Sequence, residues 1–574
     1  MTCSDCKDGR AIFLACPLRY PDIHCPYTET RCSTCYKVAI IQKRIDAKIE
    51  EIETLARELR DVREEVNQTH SRIMQTLPTE VMSEIFSLYV NSDHKDGYRP
   101  DNGRSLSETR RNRRELKLGK ISKVLRNIAW NTPSIWTNVE INVEYDYPSK
   151  HLDLLHAFVS RSASLPLNIQ LYWSSWDPSS CNKSYQAAVE LHMDQPYDKD
   201  HISGQFSDLV DVVAQSSHRW FRLVTDMHMD LVSYLFKVAQ DVSNLKEMEF
   251  QDARGLRSRP NDFQMFGNAI PSPQSVNIQG ELVFRHFNID WTRVTFLKIG
   301  SLSSQSFLVI LQACSLLESL TVSYFGSDHP LPTSPGPPSS PLHITHSGLR
   351  FLAIPFGFDY EVKATPLSKV TFPRLCELVI RFGGYAMNTG HIDVLIEFCR
   401  RSSSNTLQKM KLEFGHVRNG TQIDTELIHA CPSLVQLQLL VNGNTATLPI
   451  NFYKHPVQSS TVHDPSISPT PLLPLLEVME VTIPMPSIVT LNTFLDIFDP
   501  ARAGSEGTID HNQSPRRHSL RILKLCTSPL REKGTPDIIR RLSGFKEAGI
   551  DVEWVSSEGV KIYPDEYEDF MDHE

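Results

Sequence analysis

Leu434-Val435-Gln436-Leu437-Gln438-Leu439 belongs to a series of short blocks that decides the architecture of most of this chain. Apolar side chains at the first, fourth and sixth places, with polar ones between, give the period-two alternation of a strand buried on one face. The block recurs at Leu245/Met248/Phe250, Val294/Leu297/Ile299, Leu317/Leu320/Val322, Leu349/Leu352/Ile354, Leu375/Leu378/Ile380, Leu407/Met410/Leu412, Leu476/Met479/Val481 and Leu520/Leu523/Leu525. Block starts lie 23 residues apart between 294 and 317, and 27 apart between 407 and 434. Apolar helical runs precede several blocks, as in Phe307 to Cys314 and Ile392 to Arg400. A single strand-helix unit cannot bury its own apolar face, so stacked units sharing one continuous core are expected over residues 146–560. An irregular α/β domain with scattered leucines is the competing reading.

Within that region Leu165-Pro166-Leu167-Asn168-Ile169-Gln170-Leu171 is the expected opening strand. Cys314, Cys399 and Cys431 each stand just before a block, where a small buried hydrophobe is expected in place of a ligand. His329 to Pro341, Lys454 to Pro474 and Ala501 to Arg517 are rich in Pro, Ser, Thr or Gly and read as inserted loops, and 561–574 reads as an acidic tail.

The N-terminal part is organised differently. Leu77-Pro78-Thr79-Glu80-Val81-Met82-Ser83-Glu84-Ile85-Phe86-Ser87-Leu88-Tyr89-Val90 opens with a proline suited to a first helical turn. Val81, Ile85, Leu88 and Tyr89 then recur at helical spacing, with Glu80 and Glu84 outside. After a polar insertion at 91–115, Leu118, Ile121, Val124 or Leu125, and Ile128 continue the helical period until Asn131-Thr132-Pro133 stops it, with Trp130 and Trp136 beside the stop. Short amphipathic helices must bury these faces against each other or against a partner. The insertion holds Arg104, Arg110, Arg111, Arg113 and Arg114, a pattern shared by import signals, nucleic-acid patches, docking sites for acidic proteins and ordinary solvated loops.

The order Leu-Pro-x-Glu-x-Met-x-Glu-Ile-Phe, a divergent gap, then Leu-Gly-x-Ile-x-x-x-x-Arg-x-Ile-Ala-x-x-Thr-Pro-x-x-Trp resembles the F-box-like proteins abundant in mushroom-forming fungi. The chain departs from that pattern at Ser122, where the family often has Cys, and at Leu125, where it often has Trp. The resemblance implies a three-helix F-box over 77–145 that docks on the Skp adaptor of an SCF cullin-RING ubiquitin ligase. It places Leu77, Pro78, Ile85, Leu88 and Ile121 at or behind the adaptor surface. It also implies a leucine-rich-repeat-like region that holds the degradation target. The fold class expected from residues and resemblance together is α plus α/β: an N-terminal coiled coil and helical F-box, then a leucine-rich-repeat-like α/β solenoid.

The coiled coil is expected over 38–76, where Ile45, Ile52, Leu59, Val66 and Ile73 recur every seven residues and Leu55 and Val62 stand three later. Lys48 and Thr69 interrupt this seam. Two outcomes fit it: a homodimer, or a stripe that packs on the chain's own F-box-like helices.

Six of the 12 cysteines fall in the leader at 1–37, as Cys3, Cys6, Cys16, Cys25, Cys32 and Cys35. The pairs Cys3-x-x-Cys6 and Cys32-x-x-Cys35 supply the four thiolates of a tetrahedral zinc site, so a zinc knuckle and a poorly ordered Cys-rich leader both fit.

With 574 residues, 40% hydrophobic and 22% charged, the chain can build more than one domain. A net charge of −9 speaks against a general nucleic-acid binder. No window carries the apolar length of a membrane helix and no signal peptide opens the chain, so an intracellular protein of the cytoplasm or nucleus with reduced cysteines is expected. No phosphate loop, dinucleotide fingerprint, zinc-protease helix or nucleophile elbow is present, so no catalytic residue is expected. Two functions follow: a ligase substrate receptor that binds the Skp-type adaptor, its cullin scaffold and a target protein, or a non-ligase scaffold with a degenerate F-box and a dimerising coil.

Overall fold

The computed structural model describes residues 33–70, 76–91, 114–143, 149–173, 204–227, 229–251, 264–267, 269–281, 284–326, 343–356, 366–383, 389–403, 405–415, 423–424, 426–441, 450–451, 475–483, 495, 520–527, 535–556 and 561–562. The chain divides into two compact units, Met1–Ile135 and Trp136–Glu574.

The first unit is helical. Helix α1 (Ser33–His70) carries the heptad seam from Ile45 to Val66 on one uninterrupted helix, and Ile73 lies outside the described residues. Helix α2 (Thr79–Asn91) begins directly after Pro78, whose carbonyl accepts from Met82 N at 3.1 Å. The periodic run expected as one helix from Leu118 to Ile128 is instead two, α3 (Arg114–Ile121) and α4 (Lys123–Trp130). The break is at Ser122, whose backbone is extended and whose Oγ accepts from Leu125 N at 3.2 Å. A serine hydroxyl offers the helix N-terminus an acceptor that the continuing helix would not need, so it caps a new helix.

The second unit is a 15-stranded sheet in which the strands follow one another in chain order. Its members are β1 (Asn138–Val143), β2 (Leu167–Trp173), β3 (Trp220–Thr225), β4 (Glu247–Phe250), β5 (Ser275–Glu281), β6 (Phe296–Leu302) and β7 (Ser319–Phe325). Two-residue strands β8 (Ile344–Thr345) and β10 (Val370–Thr371) pair with each other, as do β13 (Ile423–Asp424) and β15 (Ile450–Asn451). The main sheet continues through β9 (Phe351–Phe356), β11 (Glu377–Phe382), β12 (Lys409–Phe414), β14 (Gln436–Val441), β16 (Val478–Ile483), β17 (Ile522–Thr527) and β18 (Asp551–Ser556). Every neighbouring pair is parallel except the last, where β19 (Lys561–Ile562) runs antiparallel to β18. Parallel neighbours require crossovers, several of them helices: α5 (Ser149–Arg161), α6 (Gly204–Gln215), α7 (Met229–Val238), α8 (Ser304–Ala313), α9 (Thr389–Ser403), α10 (Glu426–His429) and α11 (Thr535–Glu547). This is the expected solenoid.

All nine blocks are strands, and their first, fourth and sixth residues are buried. In the register, Leu352, Leu378, Met410, Leu437, Met479 and Leu523 are successive partners, forming one column of the core. The opening strand differs from expectation. It is β1, one strand before Leu167 and inside the segment assigned to the F-box-like domain, because Trp136, Val139 and Ile141 fill the three block positions with buried side chains. Cys314, Cys399 and Cys431 are buried as expected. Burial pushes the Cys314 thiol up to about 12. The hydrogen bond to Cys431, with burial, raises Cys399 well above the ordinary thiol range. Such thiols are inert packing groups.

The three expected loops lie outside the described residues, as does the expected tail at 561–574 apart from Lys561 and Ile562, which form β19, and the basic insertion apart from Asn91 in α2 and Arg114 and Glu115 in α3. No described helix is long and apolar enough to cross a membrane.

Glycine tests this packing in two ways. At the register shift between β5 and β6, a Cβ on Gly300 would overlap the backbone carbonyl of Gln279, so the strands approach only because that atom is missing. At Gly544 in α11 nothing lies within 4 Å of the Cβ position. Gly300→Ala is therefore expected to destabilise the chain by about 3 kcal/mol through a forced backbone shift, whereas Gly544→Ala stabilises it by up to about 1 kcal/mol through helix propensity. Urea midpoints of the two variants measure both.

Candidate docking face of the N-terminal helices

On α2 the apolar residues cover two stripes. At roughly 100° per residue they span about 200° of the circumference, too wide for one interface. The inner stripe is Met82, Phe86 and Val90, all buried, and Leu118 of α3 and Ala129 of α4 are buried in the same unit. Thr132, at the end of α4, fixes this packing. Its Oγ1 donates to the Ile128 carbonyl at 2.7 Å and shares a hydrogen bond with Ser83 Oγ of α2 at 2.9 Å. Arg126 Nε donates to the Gly119 carbonyl at 2.7 Å, tying α4 back to α3, and the guanidinium carbon lies 5.9 Å from the centre of the Trp130 ring.

The outer stripe is Val81, Ile85, Leu88 and Tyr89, and it faces water, with Leu88 64% exposed. Helical spacing alone marks these four as the helix's apolar face. The structure assigns the packing instead to Met82, Phe86 and Val90, a second stripe that periodicity alone did not separate from the first.

Of the residues singled out from the sequence, Ile85 and Leu88 lie together on the exposed stripe. Leu77 is half-buried and Pro78 exposed, immediately before α2. Ile121 ends α3 and is 60% exposed. Val81, Tyr89 and Trp130 add exposed apolar surface that the resemblance did not place at the adaptor face, although the helical period already marks Val81 and Tyr89. Several exposed large apolar residues in one small helical unit mark an interaction surface more often than a chance distribution.

For the zinc hypothesis, Cys35 falls in the first turn of α1, while Cys3, Cys6 and Cys32 lie outside the described residues. No group of three or more His, Cys, Asp or Glu able to hold a metal occurs among the described residues.

The solenoid offers a second surface, the outward face of the sheet. Cross-strand ion pairs line it: Arg222 Nη2 to Glu249 at 3.2 Å, Arg381 Nε to Glu413 at 2.9 Å, and Lys524 to Glu553 at 2.8 Å. Glu413 also receives Lys411, two residues earlier on β12, at 2.8 Å. In the middle, at β9 and β11, the outward residues Ala353, Pro355 and Val379 are buried as well, while Phe351, Glu377 and Arg381 on the same face stay half-buried.

No protein-family model matches the chain, and no curated protein matches it. Among solved structures, the leucine-rich repeat-containing protein LegL7 from Legionella pneumophila is 11% identical, with a TM-score of 0.28 over 75% of this chain and 93% of that one. Rad7 in complex with Elc1 from yeast gives 10% identity and a TM-score of 0.29, over 86% of this chain and 95% of that one. Superpositions this loose carry no argument, and the solenoid stands on its own strand order.

Burial raises the Glu413 carboxyl pKa, but the hydrogen bond and charge of Lys411 and the charge of Arg381 outweigh it and hold the group below its ordinary range. A depressed folded-state pKa means the unfolded chain takes up the proton first. The stabilisation is therefore complete above the unfolded value of about 4.3 and is lost as pH falls through the folded value. Glu413→Gln is expected to lower stability at pH 7 and to flatten its decline under acid. Thermal melts of both proteins between pH 7 and pH 3 check this.

Proposed function

We propose that the chain is the substrate-recognition subunit of an SCF-type cullin-RING ubiquitin ligase. The helices α2 to α4 bind a Skp-type adaptor, which brings the cullin scaffold, and the solenoid holds a target protein. The observation that carries this reading is the outer stripe of α2, where Val81, Ile85, Leu88 and Tyr89 stay in water although Met82, Phe86 and Val90 already satisfy the helix's packing. Full burial of a Val, Leu or Ile side chain is worth about 1.5–3 kcal/mol, so a stripe of this size suits an apolar partner surface. The sequence resemblance names that partner, and it carries the proposal over from Leu77, Pro78, Ile85, Leu88 and Ile121.

In this role the protein does no bond-making chemistry. A receptor accelerates ubiquitin transfer by holding the target within reach of the ligase's catalytic subunits, replacing a bimolecular encounter with a positioned one. The outward face of the sheet, with its ion-paired and polar rows, offers the charged and hydrogen-bonding groups that give a protein interface its specificity.

The test is co-purification of the full chain with a fungal Skp-type adaptor. Stoichiometric capture is expected, with at least a tenfold loss in Ile85→Glu/Leu88→Glu, a variant that keeps the native circular dichroism because both positions are exposed. A native chain that captures no adaptor, or a variant that captures as well as the native chain, overturns the receptor reading and leaves the interaction scaffold.

A further inference from the structure

We infer that α1 is one half of a parallel, in-register two-stranded coiled coil formed with a second copy of this chain. The seam is uncovered: Ile41, Ile52, Leu55, Leu59, Val62 and Val66 are all exposed, Leu55 at 56%. Among the described residues, then, the stripe does not pack on the chain's own F-box-like helices. An isolated helix gains too little from its own hydrogen bonds to justify so much apolar surface in water, so the stripe calls for a partner.

The period of the stripe says what kind of partner. Val38, Ile45, Ile52, Leu59 and Val66 keep a strict seven-residue spacing, and Ile41, Leu55 and Val62 follow three later. On a straight helix such a repeat drifts by about 20° per heptad, so only a partner that coils with it stays in contact, which means another long helix. At 38 residues α1 extends about 57 Å. The next longest described helix, α9, has 15 residues, so no described segment of this chain can line the seam.

Charge and side-chain shape select a second copy and its direction. In the parallel arrangement each residue preceding a Val38-type position faces the residue five later on the other chain. That sets Glu58 against Arg63 of the second copy, Glu51 against Ala56 and Arg44 against Ile49, with no like charges opposed among these flanking pairs. In the antiparallel arrangement Glu51 faces Glu58 of the other chain, twice by symmetry. Four of the five Val38-type positions are β-branched, the residue type that this row carries in parallel two-stranded coils.

Lys48 is the polar break in the seam, and its ammonium pairs with Glu51 at 2.6 Å, on the water side. The aliphatic stem can then cover the seam while the charge stays hydrated. Parallel, in-register pairing puts both Lys48 residues in one layer, whereas a slip or a reversal sets each against an apolar residue and spoils two layers.

The consequence is bivalency. Both copies of α1 would end at the same end of the coil, and α2 begins at Thr79, nine residues after His70. Two docking faces would therefore sit within a short chain's reach of one another and act on a partner pair at high effective concentration. The dimer itself does not depend on what those faces bind.

Sedimentation equilibrium of the full chain at tens of micromolar is expected to give twice the 65.3 kDa of the single chain. Leu55→Glu/Leu59→Glu, at positions exposed in the single chain, is expected to weaken association at least tenfold without changing the melting of the solenoid. Direction is read by oxidation and peptide mapping. In a parallel pair, Ile45→Cys links to itself and Val62→Cys links to itself. In an antiparallel pair, neither does, but a mixture of the two variants forms a 45–62 link. A monomeric native chain, which would leave the seam to a different protein, overturns the proposal. So does a trimer, a Leu55→Glu/Leu59→Glu variant that stays dimeric, or the mixed link alone.

Discussion

The parallel register of the main sheet is the constraint on which the second unit depends. Each strand buries its inner column only because the next strand supplies the same column one step along, as Ile354, Ile380, Leu412, Leu439, Val481 and Leu525 do in succession. No strand has a self-sufficient core, so stability is a property of neighbouring contacts and passes along the chain. The C-terminal end of such a ladder is an edge of unpaired backbone groups, and there the direction changes. The short antiparallel strand β19 takes up part of the edge of β18, the kind of device that keeps an open sheet from recruiting another.

Aromatic side chains reinforce the ladder where the crossovers are irregular. Between β5 and β6 the described connection is two short 3-10 turns, Phe284–His286 and Trp291–Arg293, in place of a full helix. There Phe236, Phe250, Phe266 and Phe287 form a cluster with ring centres 4.5 to 6.3 Å apart, to which Trp220 adds an edge contact with Phe236. Rings bury more area per residue than leucines and so close a core that a missing helix would leave thin. Further along, Phe356, Phe382 and Phe414 occupy equivalent positions of three successive strands, and the last two stack at 4.9 Å. The repeat thus turns a column of single residues into a continuous aromatic spine at the end of the strands.

The legibility of the fold followed the chemistry of one position. Where Leu, Val or another aliphatic residue opens the block, the strand was readable from sequence, because alternation and spacing agreed. Where the opening residue is Trp136, Trp220 or Pro273, the same three positions are buried, yet the pattern Trp-x-x-Val-x-Ile, Trp-x-x-Leu-x-Thr or Pro-x-x-Val-x-Ile does not register as a leucine block. A buried site of that size accepts several apolar shapes, and a sequence pattern keyed to one of them misses the others. The candidate docking face was legible in part: Ile85 and Leu88 were named from the motif, but nothing in the helical period says which of two adjacent apolar stripes turns inward. That choice belongs to Leu118, Ala129 and the Thr132–Ser83 hydrogen bond, contacts across segments that periodicity within one helix does not encode.

The two uncovered apolar surfaces of the first unit differ in a way that separates their partners. The stripe on α2 has four residues within three turns, and over so short a length a 3.5-residue and a 3.6-residue period cannot diverge, so a flat or grooved surface of a globular partner fits it. The seam on α1 holds its heptad spacing from Val38 to Val66, a length over which divergence would carry a straight face well round the helix. Only a supercoiling partner follows it. The pairing of α1 therefore owes nothing to the stripe on α2, since one surface is selected by supercoil geometry and the other by local shape.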